Sequence, residues 1–523
     1  MKKIIIALVS VLSITTAQAQ TLEEGIQMYK YERFQSAKRI LTPLATSNPV
    51  ANYYLGLSEL GDDNNATAKS IFQKFPDDPA NQAGLARILI IEKKTPEAVS
   101  MLQSVASKAK KKNFMPYVYA ADAITYTDGG DPNMAIEWYK KAMEFDKGGD
   151  LFLSLGDAYR KIQGGGGQAM TNYEFAERMP GFESMANYKM GNLWYAAKNY
   201  DSALVKYANA SKFDPKNPLP FNDLANAYNK INKYNKAKEN IEQYLPLSDN
   251  TTDDQIRYAN VLYLSKNYNE AISKMKELIN KGVEKPYMYR VIAYSQYETK
   301  DYTNAQTNIE KLFQKQSPEK IIPLDYSYYG KILLKDSTKK ELASEKFQKA
   351  IDVDTSSDKA PEMRKIAEAF YEAEDYALSA KWYKKLAESN YASKEDRDFW
   401  WAGYMSYYSN DYSTAMDMFT KYNQINQTEP LGVLWMARTI ERDKDRDYKN
   451  GAAKESYTKW LGMVKEEDAA KKKDFTKAYT YLAMVAYNNN NKEEVKKYAD
   501  KLFQFNPEDD TAKQLIKALP SMK

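Results

Sequence analysis

The chain has 523 residues, a formal net charge of +5, and neither cysteine nor histidine. These absences exclude disulfides, thiol nucleophiles, imidazole or thiolate metal sites, histidine-dependent triads and a lipidated cysteine. So small a positive balance over so many residues also excludes the concentrated Lys/Arg surface that nucleic acid requires, and the length calls for several domains or one extended array.

The first twenty residues read as a leader. Met1-Lys2-Lys3 is a basic start, Ile4 to Leu12 is an apolar run too short to span a bilayer, and Ala17-Gln18-Ala19 offers small residues to a signal peptidase. Residues 1–19 are therefore expected to be a signal peptide, with Gln20 as the new N-terminus. No later stretch is long and apolar enough to cross a membrane. The mature protein is expected to be exported, soluble after cleavage, and periplasmic or associated with the outer membrane.

From Leu22 onward, small residues recur in pairs twelve apart: Gly25 with Ala37, Gly56 with Ala68, Ala86 with Ala98, and Ala123 with Ala135. Gly156 and Ala169 are one residue further apart. The basic run Lys108–Lys112 reads as a solvated helix end. Gly164–Gly167 lies between helices with no following GK[ST], so it reads as a lengthened turn and not a phosphate loop.

Residues 185–318 are the most regular. Gly191, Ala225, Ala259 and Ala293 are each 34 apart, as are Ala203, Ala237, Ala271 and Ala305, and Tyr200, Tyr234, Tyr268 and Tyr302. Each copy reads as two amphipathic helices joined at the tyrosine, with small residues where the helices approach closely. Beyond, Gly330 pairs with Ala343, Ala367 with Ala380, Gly403 with Ala415, Ala437 with Ala453, and Ala483 with Val495. Two longer links, one around Ser317-Pro318 and Pro323 and one at Lys465–Lys473, are expected bends or hinges. A short helix around Thr511–Leu519 would cap the last apolar face.

The copy Tyr188-Lys-Met-Gly191-Asn-Leu-Trp194, Tyr200-Asp-Ser-Ala203, Tyr207-Ala-Asn-Ala210 and Pro215 resembles the tetratricopeptide repeat, and weaker copies cover nearly the whole chain. The resemblance implies an all-α fold: a right-handed α-solenoid superhelix of about fourteen helix pairs with a C-terminal capping helix. It implies first helices lining a concave side, and the array divides into residues 20–184, 185–318, 319–507 and a cap and tail at 508–523.

The position after the small residue should face that groove. It holds Asn192, Asn226 and Asn260 in three successive copies and Tyr294 in the fourth. An asparagine amide can donate to and accept from a peptide backbone, so the ladder suits an extended main chain. Tyr188, Tyr195, Asn222, Asn229, Lys230, Tyr263, Arg290 and Tyr297 flank it. A clamp for terminal carboxylates is not expected, because Tyr188 and Ile256 stand where basic residues would be needed. A second patch, Trp400, Tyr404, Tyr407 and Tyr408 with Arg438 and Arg442, has the composition of an interaction hot spot, whereas Trp401 should be core. Asp443, Asp445 and Asp447 imitate the start of a calcium loop, but Tyr448 and Lys454 fill the places of its glycine and bidentate glutamate.

No stretch outside the repeats is left for a catalytic domain. The expectation is a non-catalytic scaffold without metal or cofactor, binding protein partners of the cell envelope in an outer-membrane assembly, secretion or export complex. The competing expectation is a glycan-binding or glycan-processing helical protein.

Overall fold

The structure, a computed structural model, describes residues 21–522; the expected leader lies outside the described residues. These form 29 α-helices, and the sole β feature among them is an isolated bridge between Lys110 and Asn113. No described helix is long and apolar enough to cross a membrane. The chain forms two compact units, one up to Glu284 and one from Lys285. The first holds the helix pairs from Leu22–Lys30 with Phe34–Leu41 to Thr252–Leu264 with Tyr268–Asn280. The second holds those from Pro286–Glu298 with Tyr302–Lys315 to Lys472–Asn488 with Lys492–Phe505, closed by the short helix Asp510–Ala518. Within each unit every helix packs on its sequence neighbours, as in a tetratricopeptide α-solenoid.

Local chemistry sets the ends of these helices. Pro49, Pro79 and Pro218 open first helices, where a missing N–H costs nothing, and Asn48, Asp78 and Asn217 cap them. The turn inside a pair runs through one left-handed residue. Lys198, Asn232 and Lys266 hold φ of 60°, 58° and 64°, and the next N–H returns to the preceding helix, Asn199 to Trp194 at 3.0 Å and Asn267 to Leu262 at 2.8 Å. The tyrosine that follows packs back across the turn: the Tyr195–Tyr200 centroids lie 5.3 Å apart and Tyr263–Tyr268 5.9 Å.

The small residue of each first helix has a sharper reason than close helix crossing. It lies beneath a large side chain of the second helix. A Cβ on Gly56 would sit 2.3 Å from the Phe72 ring, one on Gly191 2.5 Å from Tyr207, and one on Gly403 2.8 Å from Phe419. Gly156 meets Tyr173 and Gly330 meets Phe347 in the same way. Alanine serves at Ala225, Ala259 and Ala293, whose copies place Ile241, Met275 and Ile309 at that point of the second helix, all fully buried.

In the second unit, adjacent pairs are also clasped by ions. Arg290 grips Asp325 with Nε–Oδ1 at 2.6 Å and Nη2–Oδ2 at 2.7 Å, and Arg364 grips Asp398 at 3.1 and 2.8 Å. Both carboxylates are fully buried, and each also accepts a backbone N–H, from Ile322 and Glu395 respectively. Arg438 repeats the contact on Asp474 at 2.5 Å. The link after Lys315 contains the short 3-10 turn Pro318–Lys320, and the Lys465–Lys473 run contains another at Ala469–Lys471. The boundary between the units precedes both.

Gly191→Ala should overpack the Tyr207 ring and destabilise the first unit by about 1–3 kcal/mol. Tyr207→Ile in the same chain should recover most of that loss, because it recreates the Ala225–Ile241 combination. Urea unfolding of the two single variants and the double variant measures the coupling.

Candidate binding groove

The first unit closes on itself. The turn between Leu22–Lys30 and Phe34–Leu41 meets loops that lie far along the chain. Lys30 pairs with Asp150 at 3.2 Å, and the Tyr31 hydroxyl donates to Asp214. Helix Phe34–Leu41 has no side-chain cap of its own. Asp249 supplies one from 214 residues away, accepting from the Gln35 N–H at 2.7 Å, the Ser36 N–H at 3.3 Å and the Ser36 hydroxyl at 2.6 Å. A buried carboxylate there satisfies orphan donors and meets the positive end of the helix dipole.

Closure leaves a cavity of about 600 Å³ inside the first unit. Its wall includes Tyr29, Tyr53, Tyr54, Tyr119 and Tyr126. The rings brace one another edge to face, with centroids 5.4 Å apart for Tyr29–Tyr54, Tyr53–Tyr54 and Tyr53–Tyr119. The charged lining residues are Lys30, Glu32, Arg87, Asp122, Asp146, Asp150 and Lys189.

The cations in this wall are engaged. Arg87 donates through Nη2 to the Tyr126 carbonyl at 2.7 Å and through Nε to Thr127 at 3.0 Å. Lys189 holds Asp157 at 2.5 Å, and Asp157 also accepts from Tyr126 and Tyr173, both at 2.7 Å. Burial alone would raise the Asp157 carboxyl, but Lys189 and these hydroxyls hold it below the usual range. Asp122 fares differently. Burial pushes it up to about 6, and the Tyr139 hydroxyl at 2.5 Å and the Arg87 charge offset only part of that. Glu32, whose side chain still reaches solvent, is raised by partial desolvation and by the charge of Asp223, and Asp223 is itself raised by burial.

The asparagine ladder adjoins this cavity at Lys189. Tyr188 feels the charges of both Asp223 and Glu32. Asn192 accepts from the Tyr207 hydroxyl at 2.7 Å, and Asn226 donates to Asp223 at 3.1 Å. Asn222 donates to Asp223 at 3.0 Å and accepts from Arg257. Asn222 thus has both its donor and its acceptor engaged inside the protein, and Asn192 and Asn226 are each partly committed. Tyr188, Tyr195, Asn260 and Tyr263 are half-buried, while Asn229 and Lys230 stand exposed at a helix end.

Arg290, Tyr294 and Tyr297 belong to the second unit, so the expected groove is divided between two bodies. Tyr294 is corrected from groove to core. It is 2% exposed, stacks on Tyr328 with centroids 3.8 Å apart, and donates to Asp325 at 2.7 Å. Arg290 is not a free basic edge, because Asp325 holds its guanidinium. Tyr297 stays half-buried beside Tyr302 and Tyr328.

The second patch does assemble, around a residue the sequence reading passed over. Trp435 is buried at its centre, with centroids of Tyr404 at 4.7 Å, Tyr407 at 5.3 Å and Trp400 at 6.2 Å. Arg438 lies 4.7 Å over the same ring while engaged with Asp474. Tyr408 is 46% exposed and Arg442 is exposed. Trp401, expected in the core, is half-buried and stacks on Tyr383. At the calcium-like turn, Asp445 is buried and accepts from Tyr481 and from the Asn450 N–H at 3.0 Å, so its carboxylate serves the turn itself.

The sequence reading missed the cavity residues. Tyr29, Tyr53, Tyr54, Tyr119, Arg87 and Asp122 sit in copies whose spacing is regular but whose groove positions follow no ladder. The available signal was charge: Arg87 and Asp122 lie on otherwise uncharged first helices, Pro79–Ile91 and Met115–Thr125.

No protein-family profile and no curated protein matches the chain. Among solved structures, the chain is similar to the C-terminal part of a TPR repeat-containing protein from Cytophaga hutchinsonii, with 29% identity over 50% of this chain and 98% of that one, and a TM-score of 0.37. It is also similar to a tetratricopeptide repeat protein from Parabacteroides merdae, at 20% identity over 47% and 94% of the two chains and a TM-score of 0.33. A third is PilW, described as a type IV pilus biogenesis factor, at 15% identity over 40% and 95% and a TM-score of 0.32. With scores this low, the repeat type rests on this chain's own helix pairs, turns and 34-residue columns.

Asp249→Ala should release the first helix pair from the closing loop at a cost of about 1–2 kcal/mol. Hydrogen exchange should then speed up at the Gln35 and Ser36 amides while the Tyr207 helix keeps its protection.

Proposed function

We propose that this tetratricopeptide-repeat chain is a non-catalytic scaffold of the cell envelope, and that its first unit receives an extended segment of a protein partner. The observation that carries this reading is the tyrosine-walled cavity. At about 600 Å³ it is large enough for a few side chains and falls within the range of specific ligand sites. Its tyrosines supply broad contact area with little side-chain entropy to lose, and its charged groups supply specificity.

The adjoining ladder extends the same surface. The Asn226 carbonyl is left over from its internal bond to Asp223 and is suited to a backbone in extended form. The leader-like residues 1–19 support export, and with it periplasmic or outer-membrane-associated work in assembly, secretion or export. The aromatic patch around Trp435, with Tyr408 and Arg442 exposed, supports a second contact area on the second unit.

A photo-crosslinking residue in place of Tyr54 or Asn226 should capture a polypeptide from envelope extract, and one in place of exposed Val205 should not. Ser154→Trp, which fills the cavity, should abolish capture at Tyr54 while leaving the melting temperature nearly unchanged. If the purified chain retains envelope polysaccharide and no protein at any position, the scaffold reading fails in favour of a glycan-binding one.

A further inference from the structure

Within the cavity of the first unit, the charges do not balance locally. Lys30 faces Asp150, Lys189 is bound to Asp157, and Arg87 is committed to the Tyr126 carbonyl and Thr127. The carboxylates are less well served. Asp122 accepts one hydrogen bond, from Tyr139 to Oδ1, and among the described residues Oδ2 has no donor. Glu32 has neither an ion pair nor a side-chain hydrogen bond among them. Lys30, Arg87 and Lys189 thus stand against Glu32, Asp122, Asp146 and Asp150, with Lys189 taken by Asp157 as well, so even with Arg87 counted the wall is short of positive charge. Tyr29, Tyr53, Tyr54 and Tyr119 surround the same space with ring faces and edges, and aromatic faces attract a positive charge, most strongly where water is scarce.

We propose that this cavity is a pocket for the ammonium or guanidinium of a lysine or arginine side chain on the partner segment, with Asp122 as its counter-ion and the tyrosines as its walls. This rests on the groove reading above and adds the chemistry of the residue recognised. Charge complementarity selects the occupant: an acidic side chain would meet the unpaired oxygen of Asp122, where Arg87 is the one cation that faces it and the two lining lysines are already in ion pairs.

The groups around Asp122 fix the pH response. Arg87 faces it from Pro79–Ile91, Tyr139 from Pro132–Met143, and Asp150 and Asp157 from Gly149–Arg160. Tyr29, Tyr53 and Tyr54 face it from the first two pairs, and Tyr119 and Tyr126 from its own element and the turn beyond. Thr95–Ser107 contributes no lining residue. The tyrosines are raised and stay neutral, and Asp157 is held ionised, so Asp122 changes charge in mildly acidic solution, with Glu32 of the same wall also raised. The Asp122 carboxyl titrates near 6 in the empty pocket. A bound cation favours the ionised form, so affinity is full above that value and falls roughly tenfold per pH unit below it.

The test uses the full chain and three nine-residue peptides that are uncharged apart from a central lysine, acetyl-lysine or glutamate, followed by ligand-observed NMR. The lysine peptide should bind at pH 7.5, at least tenfold more tightly than the acetylated one, and lose about tenfold by pH 5. Asp122→Asn, which can still accept from Tyr139, should weaken the lysine peptide at least tenfold and remove the pH dependence. Preferential binding of the glutamate peptide, lost in Lys30→Met, would overturn the cation pocket and leave the groove reading standing. Failure of all three peptides, with crosslinking at Tyr54 still intact, would likewise overturn the cation pocket alone. Failure of the crosslinking as well would remove both readings.

Discussion

Everything else in this molecule depends on one contact: a large side chain of each second helix lying on a nearly bare patch of the first. Tyr207 on Gly191 and Phe72 on Gly56 show how little space is left there. The contact sets how close the two helices come, and so fixes where the flanking side chains can point. Glycine inside a helix costs roughly 1 kcal/mol against alanine, and burial of an aromatic ring offsets that by more. Repetition of this one arrangement lets a chain without disulfides hold a series of cores, each made mainly with its neighbours.

The two units join their repeats differently. In the second, Arg290, Arg364 and Arg438 clasp the carboxylate of the following pair. Such pairs are costly to break, because removal of one partner strands a buried charge. In the first, the decisive joint is not between neighbours. Asp249 caps a helix that begins at Phe34, and Asp214 and Asp150 hold the same turn. That joint turns a series of pairs into a ring of walls around a cavity, and partial burial there raises the Asp122 carboxyl.

Much of the local architecture was readable from residues alone. Gly191, Ala225 and Ala259, with Tyr200, Tyr234 and Tyr268, gave the period. The site was far less readable. Asn192 and Asn226 stand one residue after the small position, as the ladder requires, but each amide is partly committed, to Tyr207 and Asp223 respectively. Tyr294 shares that register and is core, because Tyr328 and Asp325 of the next pair cover it. Register gives the face of a helix, and only the next pair decides whether that face stays open.

The sequence by itself determined the helix pairs, their turns, the near absence of strand and the lack of cysteine and histidine chemistry. Those follow from short-range rules: periodicity, capping and the volume of a side chain sixteen or seventeen residues away. The tertiary structure decided which tyrosines surround a cavity, which arginines are already paired and which carboxylate is left over. Those depend on residues such as Ser36 and Asp249, brought together across 213 positions by the accumulated rotation of several repeats, a sum that no local pattern contains.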